Sequence, residues 1–72
     1  MKLTAVFEPA KEGGYTCFVG EIPAAISQGE TIEEARANLA DALRLVLRCQ
    51  RELAEKGLSP NATREILELI EA

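Results

Sequence analysis

Apolar residues occupy both odd and even positions of two short segments in the first third of the chain, so neither face of a strand formed there is cleanly polar. These segments, 2–8 and 14–20, are rich in β-branched and aromatic residues, and the Pro- and Gly-bearing stretch PAKEGG separates them. They predict a β-hairpin. In the first strand Leu3, Ala5 and Phe7 share one face, and in the second strand Tyr15, Cys17 and Val19 do. The opposite faces carry Val6 and Phe18, so we expect a helix on one side of the hairpin and partial cover, by a second copy of the chain, on the other.

A third short strand and a long helix follow the hairpin. Pro23 and Gly29 bracket a strand predicted over 24–28. The helix is predicted over 31–56, because Thr31 is a good N-cap and Glu34 stands where a capping box places its carboxylate.

The helix carries an apolar stripe at three- and four-residue steps, which indicates one face packed on a core. The stripe consists of Ala35, Leu39, Ala42, Leu43, Val46 and Leu53. Gly57 is the first helix-stopping residue, so the helix is expected to run ~25 residues, or ~37 Å. That is longer than a small sheet needs. We therefore expect its second half to overhang, and Leu45 and Cys49, which lie off the stripe, to contact another subunit.

The C-terminal segment 62–70 is ambiguous from its pattern alone. Its apolar residues fit a short helix after Ser59-Pro60 as readily as a strand, and the periodicity favours a helix slightly.

The chain has 72 residues, which make one small domain over 1–72. A single chain of this size buries only ~60% of the surface that its unfolded state exposes, so we expect a dimer or tetramer. The 47% hydrophobic content is typical of a globular protein. The chain contains no apolar run long enough to span a membrane and no signal peptide, so a soluble, cytoplasmic protein is expected.

The net charge of −4 argues against direct binding to nucleic acid and favours a basic protein as partner, although solubility alone accounts for such a charge. Three arginines, Arg44, Arg48 and Arg51, form a basic stripe on the helix. They are interpreted either as an anion or RNA contact or as local ion-pair partners of nearby carboxylates. The second interpretation is favoured, because no aromatic residue is interleaved with the arginines.

Candidate catalytic and metal-binding chemistry is sparse. The two cysteines, Cys17 and Cys49, form no Cys-x-x-Cys pair, and the chain has no His. We expect both cysteines to be buried reduced thiols, and we predict no catalytic residue, no metal site and no cofactor.

An ordered set of short motifs in the first two-thirds of the chain resembles the HicB-like antitoxin family, in its UPF0150-type form. The motifs are Glu12-Gly13-Gly14-Tyr15, Glu21-Ile22-Pro23, Ser27-Gln28-Gly29-Glu30-Thr31 and Glu33-Glu34-Ala35, followed by Asn38 and Leu39. The fold that this resemblance implies is of the α+β class and is described as partial ribonuclease-H-like. It has an antiparallel sheet of three strands, a long helix on one face, and a further strand after the helix. By that analogy 62–70 becomes the fourth strand, against its periodicity.

The resemblance also implies a function. Such antitoxins bind a small basic mRNA-cleaving toxin of the HicA type, and many carry an appended DNA-binding domain. The sequence ends at Ala72 with no room for one, so direct DNA binding is not expected. The candidates for toxin binding are Tyr15 and an acidic rim of the sheet formed by Glu8, Glu12 and Glu21.

Two other functions stay open. One is an orphan HicB-like domain that acts as a homo-oligomeric binding or scaffold module without a toxin. The other is a small-molecule or metal-dependent enzyme, which only the fold analogy favours. An enzyme is not expected, because two-metal cleavage requires several converging carboxylates and the commonest general base, His, is missing.

Overall fold

The computed structural model describes residues 2–68. Three strands precede one helix: β1 spans Ala5–Pro9, β2 spans Tyr15–Val19, β3 spans Ile22–Gly29, and α1 spans Ile32–Glu55. The strands form an antiparallel sheet in the order β1-β2-β3. The predicted α+β class, with three antiparallel strands and one long helix, is confirmed. The third strand is longer than predicted, because it includes Pro23 at the edge of the sheet, where a missing N–H breaks no ladder bond.

The register of the strands assigns the side chains to two faces. Phe7 lies opposite Cys17, and Cys17 opposite Ser27, on the face that α1 covers. Val6 lies opposite Phe18, and Phe18 opposite Ile26, on the other face. The second set forms an apolar row across the sheet, and Ile26 in it is 64% exposed.

The helix begins as its sequence predicts. Thr31 has extended backbone angles, and its hydroxyl accepts a hydrogen bond of 3.1 Å from the backbone N–H of Glu34. The first half of α1 then packs on β2 and β3 and forms a small core with them. The fully buried residues of this core are Cys17, Val19, Ala25, Ala35 and Leu39.

The second half of α1 extends past the sheet. From Leu47 to Glu68 every residue is exposed except Ala62, which is half-buried. Two predictions are therefore wrong: Leu53 of the stripe is 70% exposed, and Cys49 is exposed rather than buried. Both residues lie beyond the last turn of the helix that has a sheet beneath it. No helix in the described part of the chain has the length and apolar character to cross a membrane.

The segment after the helix does not form the fourth strand predicted over 62–70. Residues 62–68 have no regular secondary structure, and residues 69 and 70 lie outside the described part of the chain. A strand requires a neighbouring strand to satisfy its backbone groups. Here the segment turns back beside the end of the helix instead, where Arg64 Nε donates to Glu55 Oε1 at 3.0 Å.

Candidate partner-binding site

The turn between β1 and β2 forms one wall of a polar depression on the surface. Two backbone hydrogen bonds of 3.0 Å close this turn, one from Ala10 N to the carbonyl of Gly14 and one from Gly13 N to the carbonyl of Ala10. Gly13 and Gly14 have φ angles of 102° and 73°, which disfavour other residue types. A Cβ on Gly14 would also lie 2.8 Å from the carbonyl oxygen of Gly29. Gly14 therefore lets the turn lie directly against the end of β3.

The start of α1 forms the opposite wall. A Cβ on Gly29 would lie 2.4 Å from the backbone nitrogen of Ala35, so this glycine allows the strand and the helix to touch. Asn38 then donates from Nδ2 to the carbonyl of Gln28 at 2.8 Å, which holds the helix to the edge strand. These contacts bring two segments that are distant in sequence to one end of the sheet.

Between these walls lies a cleft of about 310 Å³, which we call the acidic cleft. Three carboxylates line it, and no Lys, Arg or His does. The lining residues are Ala10, Glu12, Gly13, Gly14, Tyr15, Thr16, Gln28, Gly29, Glu30, Glu34 and Asn38. The carboxylates Glu12, Glu30 and Glu34 are exposed, so they remain hydrated and produce a local negative potential.

The cleft combines negative charge with hydrogen-bonding groups. Carboxylates in a concave surface attract Lys and Arg side chains, and carbonyl and amide groups in the walls offer further hydrogen-bonding groups. Within residues 2–68 no three His, Cys, Asp or Glu side chains are grouped so that they could hold a metal ion.

The structure brings together only part of the predicted toxin-binding set. Glu12 and Tyr15 line the acidic cleft. Glu8 lies close by, on the uncovered face of the sheet, opposite Thr16, which also lines the cleft. Glu21 lies in the turn between β2 and β3, at the other end of the sheet, so the four residues do not share one surface.

Glu21 has a structural contact at that other end. Its carboxylate accepts one hydrogen bond from the backbone N–H of Thr4 at 2.7 Å and another from the Thr4 hydroxyl at 2.8 Å. Both bonds stabilise the charged carboxylate and hold the pKa of Glu21 below its usual value, and the bond from the backbone N–H of Thr4 has the larger effect. Glu21 thereby fastens the residue before β1 to the β2–β3 turn.

Two carboxylates of the cleft, Glu30 and Glu34, were missing from the candidates drawn from the sequence. The sequence pattern assigned Glu34 to a capping box and Glu30 to a family motif, and neither assignment reveals what lies opposite in the fold. The signal that could have found them is the pair of glycine-containing turns, Gly13-Gly14 and Gly29, because close backbone approach there brings both acidic segments together.

Two other predicted sites lie farther along α1, away from the acidic cleft. Leu45 is 56% exposed, and Cys49 lines a shallow apolar groove of about 410 Å³ with Glu52, Leu53 and Lys56. On the arginine stripe, Arg44 pairs with Asp41 at 2.8 Å and Arg51 lies 3.8 Å from Glu55. Local ion pairing, the favoured interpretation of the stripe, is thus confirmed for these two arginines.

The chain is similar to a known protein of about the same length. The chain is 41% identical over 66 residues to a UPF0150 protein of Synechocystis sp., and the match covers 92% of both chains. No protein-family model matches the chain. No solved structure matches it either.

Proposed function

The chain belongs to the UPF0150 family, which is the HicB-like family, and on that ground we propose that it is an antitoxin-like protein. It binds and neutralises a small basic mRNA-cleaving toxin of the HicA type. The observation that carries this proposal is the relationship over 92% of the chain to a UPF0150 protein.

The acidic cleft supports the proposal and suggests how the partner is held. A ribonuclease that binds mRNA needs Lys and Arg to contact phosphates. The cleft offers the Lys and Arg side chains of the toxin a negative charge, as phosphate does. Its carboxylates are those of Glu12, Glu30 and Glu34. The inhibitor then competes with RNA for the basic surface of the toxin, and it speeds association by electrostatic attraction.

Inhibition of this kind requires no chemistry from the antitoxin. In the proposed function the protein is therefore not an enzyme, and it acts by covering the basic surface with which the toxin binds RNA. Nuclease assays with Mg²⁺ or Mn²⁺ test this part, because RNA cleavage by the purified protein would contradict it.

The direct test is affinity capture of a toxin. The tagged full-length protein is recovered from lysate of its native organism at low and at high salt, and co-eluting proteins are identified by mass spectrometry. We expect one small protein rich in Lys and Arg, in stoichiometric amount and partly released at high salt. Its ribonuclease activity should fall when the captured antitoxin is added back.

Charge-neutral variants locate the binding surface. The triple variant Glu12→Gln, Glu30→Gln, Glu34→Gln should lower the association rate by roughly tenfold at low salt. The control variant Glu52→Gln, Glu65→Gln, Glu68→Gln removes the same charge at the far end of the molecule and should change the rate little. Equal effects of the two variants would show that only net charge matters and would exclude the cleft as the contact.

A second candidate function is the orphan binding or scaffold module. Exposed apolar side chains favour it, since Leu45, Ile66 and Leu67 are suited to contacts between copies. Recovery of the tagged protein alone, as a discrete oligomer, would favour this function over the antitoxin.

A further inference from the structure

The face of the sheet opposite α1 carries a row of apolar side chains that no helix covers in the described part of the chain. Helix α1 lies on the other face, over Cys17 and Val19. On the uncovered face Val6, Phe18 and Ile26 lie side by side across the three strands, and we call them the apolar row. Val6 and Phe18 are half-buried and Ile26 is 64% exposed, so a partner can reach the row. Adjoining apolar side chains with polar residues around them mark interaction surfaces more often than single ones do.

A second row of side chains joins the apolar row to the acidic cleft. This polar row consists of Glu8, Thr16 and Gln28, which are paired across the strands and exposed. Two of them, Thr16 and Gln28, also line the acidic cleft. Because Thr16 and Phe18 are two residues apart on β2, their side chains lie on the same face as neighbours. The apolar row, the polar row and the cleft therefore form one continuous surface.

The uncovered face is too small to hold a partner without help from its surroundings. The strands β1 and β2 have five residues each. With ~4.8 Å between strands and ~3.4 Å per residue, three strands of that length present a face of ~14 by ~17 Å, or ~240 Å². A standard protein–protein interface buries ~800 Å² on each partner. A stable contact with this face must therefore extend beyond the sheet, and the polar row leads it into the acidic cleft.

Charge indicates which partner the continuous surface fits. The three strands contain one charged residue, Glu8, and no Lys or Arg. Together with Glu12, Glu30 and Glu34 of the cleft, Glu8 makes the surface negative, and none of the described residues that form it is basic. A second copy of the chain would bring the same negative surface and a further net charge of −4. A basic protein is attracted by these charges, so it is the better occupant of the apolar row.

We propose that the apolar row is the second part of the toxin contact, and that a basic toxin with apolar side chains beside its cations lies across both the acidic cleft and the row. This inference rests on the proposed function. Phe18 is an aromatic residue of the central strand with an apolar neighbour on each side, which is the setting in which single residues contribute most to binding energy.

The two parts of the contact affect different rates. Exposed charges at the edge of an interface act at long range, so the acidic cleft sets the association rate. Apolar side chains act only after water has been excluded between the partners, so the apolar row sets the dissociation rate. The row can therefore be tested separately from the cleft.

Binding kinetics test the apolar row at its most exposed residue. The small basic protein recovered by affinity capture is purified, and its association and dissociation on the immobilised full-length chain are followed by biolayer interferometry. Ile26→Ala should raise the dissociation rate by roughly tenfold and change the association rate little. Ile26→Asp should raise the dissociation rate further, although its added negative charge favours association with a basic protein.

Two controls keep the result specific. Leu53→Asp makes the same kind of change at a residue of α1 that is 70% exposed and distant from the sheet, and it should leave both rates unchanged. The triple variant of the cleft, Glu12→Gln, Glu30→Gln, Glu34→Gln, should lower mainly the association rate. Circular dichroism checks that each variant is folded. Ile26→Ala removes only part of an exposed side chain, so it still tests the row if Ile26→Asp does not fold.

The outcomes separate this inference from the proposed function. If the wild type captures no basic protein, both fail. If the wild type binds the captured protein and both Ile26 variants dissociate at the wild-type rate, the antitoxin function is retained and the apolar row is not part of the contact. If Ile26→Asp lowers the mass of the free protein in light scattering and leaves the toxin rates unchanged, a second copy covers the face, and the inference is overturned.

Discussion

The two halves of α1 have the same kind of sequence and opposite environments. In Ile32–Val46 the apolar stripe packs on the sheet, with Ala35 and Leu39 buried and Leu43 half-buried. In Leu47–Glu55 the stripe continues with Leu53, yet every residue is exposed. The helix has 24 residues, or ~36 Å, whereas a strand of five residues spans only ~17 Å. Amphipathicity thus identifies the apolar face of the helix, and the length of the sheet decides how much of that face is buried within one chain.

The largest expected difference between the halves comes from truncating one leucine in each. Leu39→Ala should lower the free energy of unfolding by ~2–5 kcal/mol, because it leaves a cavity in a core of five buried residues. Leu53→Ala, at a surface position, should change it by less than ~0.5 kcal/mol. Urea denaturation at one fixed protomer concentration measures both, since association contributes to stability. Equal losses would mean that the second half of α1 is packed as well as the first.

A pair of glycines makes the next comparison. Gly29→Ala should destabilise the protein by ~1–3 kcal/mol, because the added methyl group meets the backbone of Ala35 and the helix must shift. Gly57→Ala meets no atom within 4 Å and should be neutral or stabilising by ~0.4–1 kcal/mol. Thermal unfolding followed by circular dichroism separates the two. A stable Gly29→Ala protein would contradict the close approach of β3 and α1.

Two hydroxyl groups that accept from the backbone give a smaller contrast. Thr31→Ala removes the N-cap of the packed half and should cost ~1 kcal/mol. Ser59→Ala removes a similar bond of 3.1 Å, donated by the N–H of Asn61, in the exposed segment that follows α1. It should cost less, because water can replace that bond in an exposed turn. Chemical denaturation of both variants provides the comparison, and a larger loss for Ser59→Ala would contradict it.

The smallest predicted effect concerns the pH dependence of the sheet on which the first half of α1 packs. Because its pKa is lowered in the folded state, Glu21 contributes stability that is fully present above its unfolded pKa and is lost as pH falls through the lower folded value. Glu21→Gln cannot titrate, so the stability difference between wild type and variant should shrink from about pH 7 to about pH 3.

Urea denaturation across this range measures the difference, and Thr4→Val should reduce it by removing the hydroxyl donor while leaving the backbone bond. A difference that does not vary with pH would mean that the two hydrogen bonds from Thr4 are not formed in solution.

The candidate site was predictable only in part. The turn residues Glu12 and Tyr15 were identified from the sequence, and they do line the acidic cleft. Glu30 and Glu34 were not, because their proximity to Glu12 depends on how closely α1 approaches the hairpin. Glu21 was grouped with them on charge alone, and the antiparallel order of the strands places it at the other end of the sheet.

Local sequence patterns were sufficient to predict the hairpin with its glycine turn, the N-cap at Thr31, and the placement of Cys17 and Val19 on the same face of one strand. These features follow from backbone sterics and from residues within a few positions of one another. The tertiary structure alone decided which part of the apolar stripe is covered, which carboxylates meet, and what happens to residues 62–68. These outcomes could not be read from local patterns, because burial and strand pairing depend on a partner surface whose extent the local sequence does not encode.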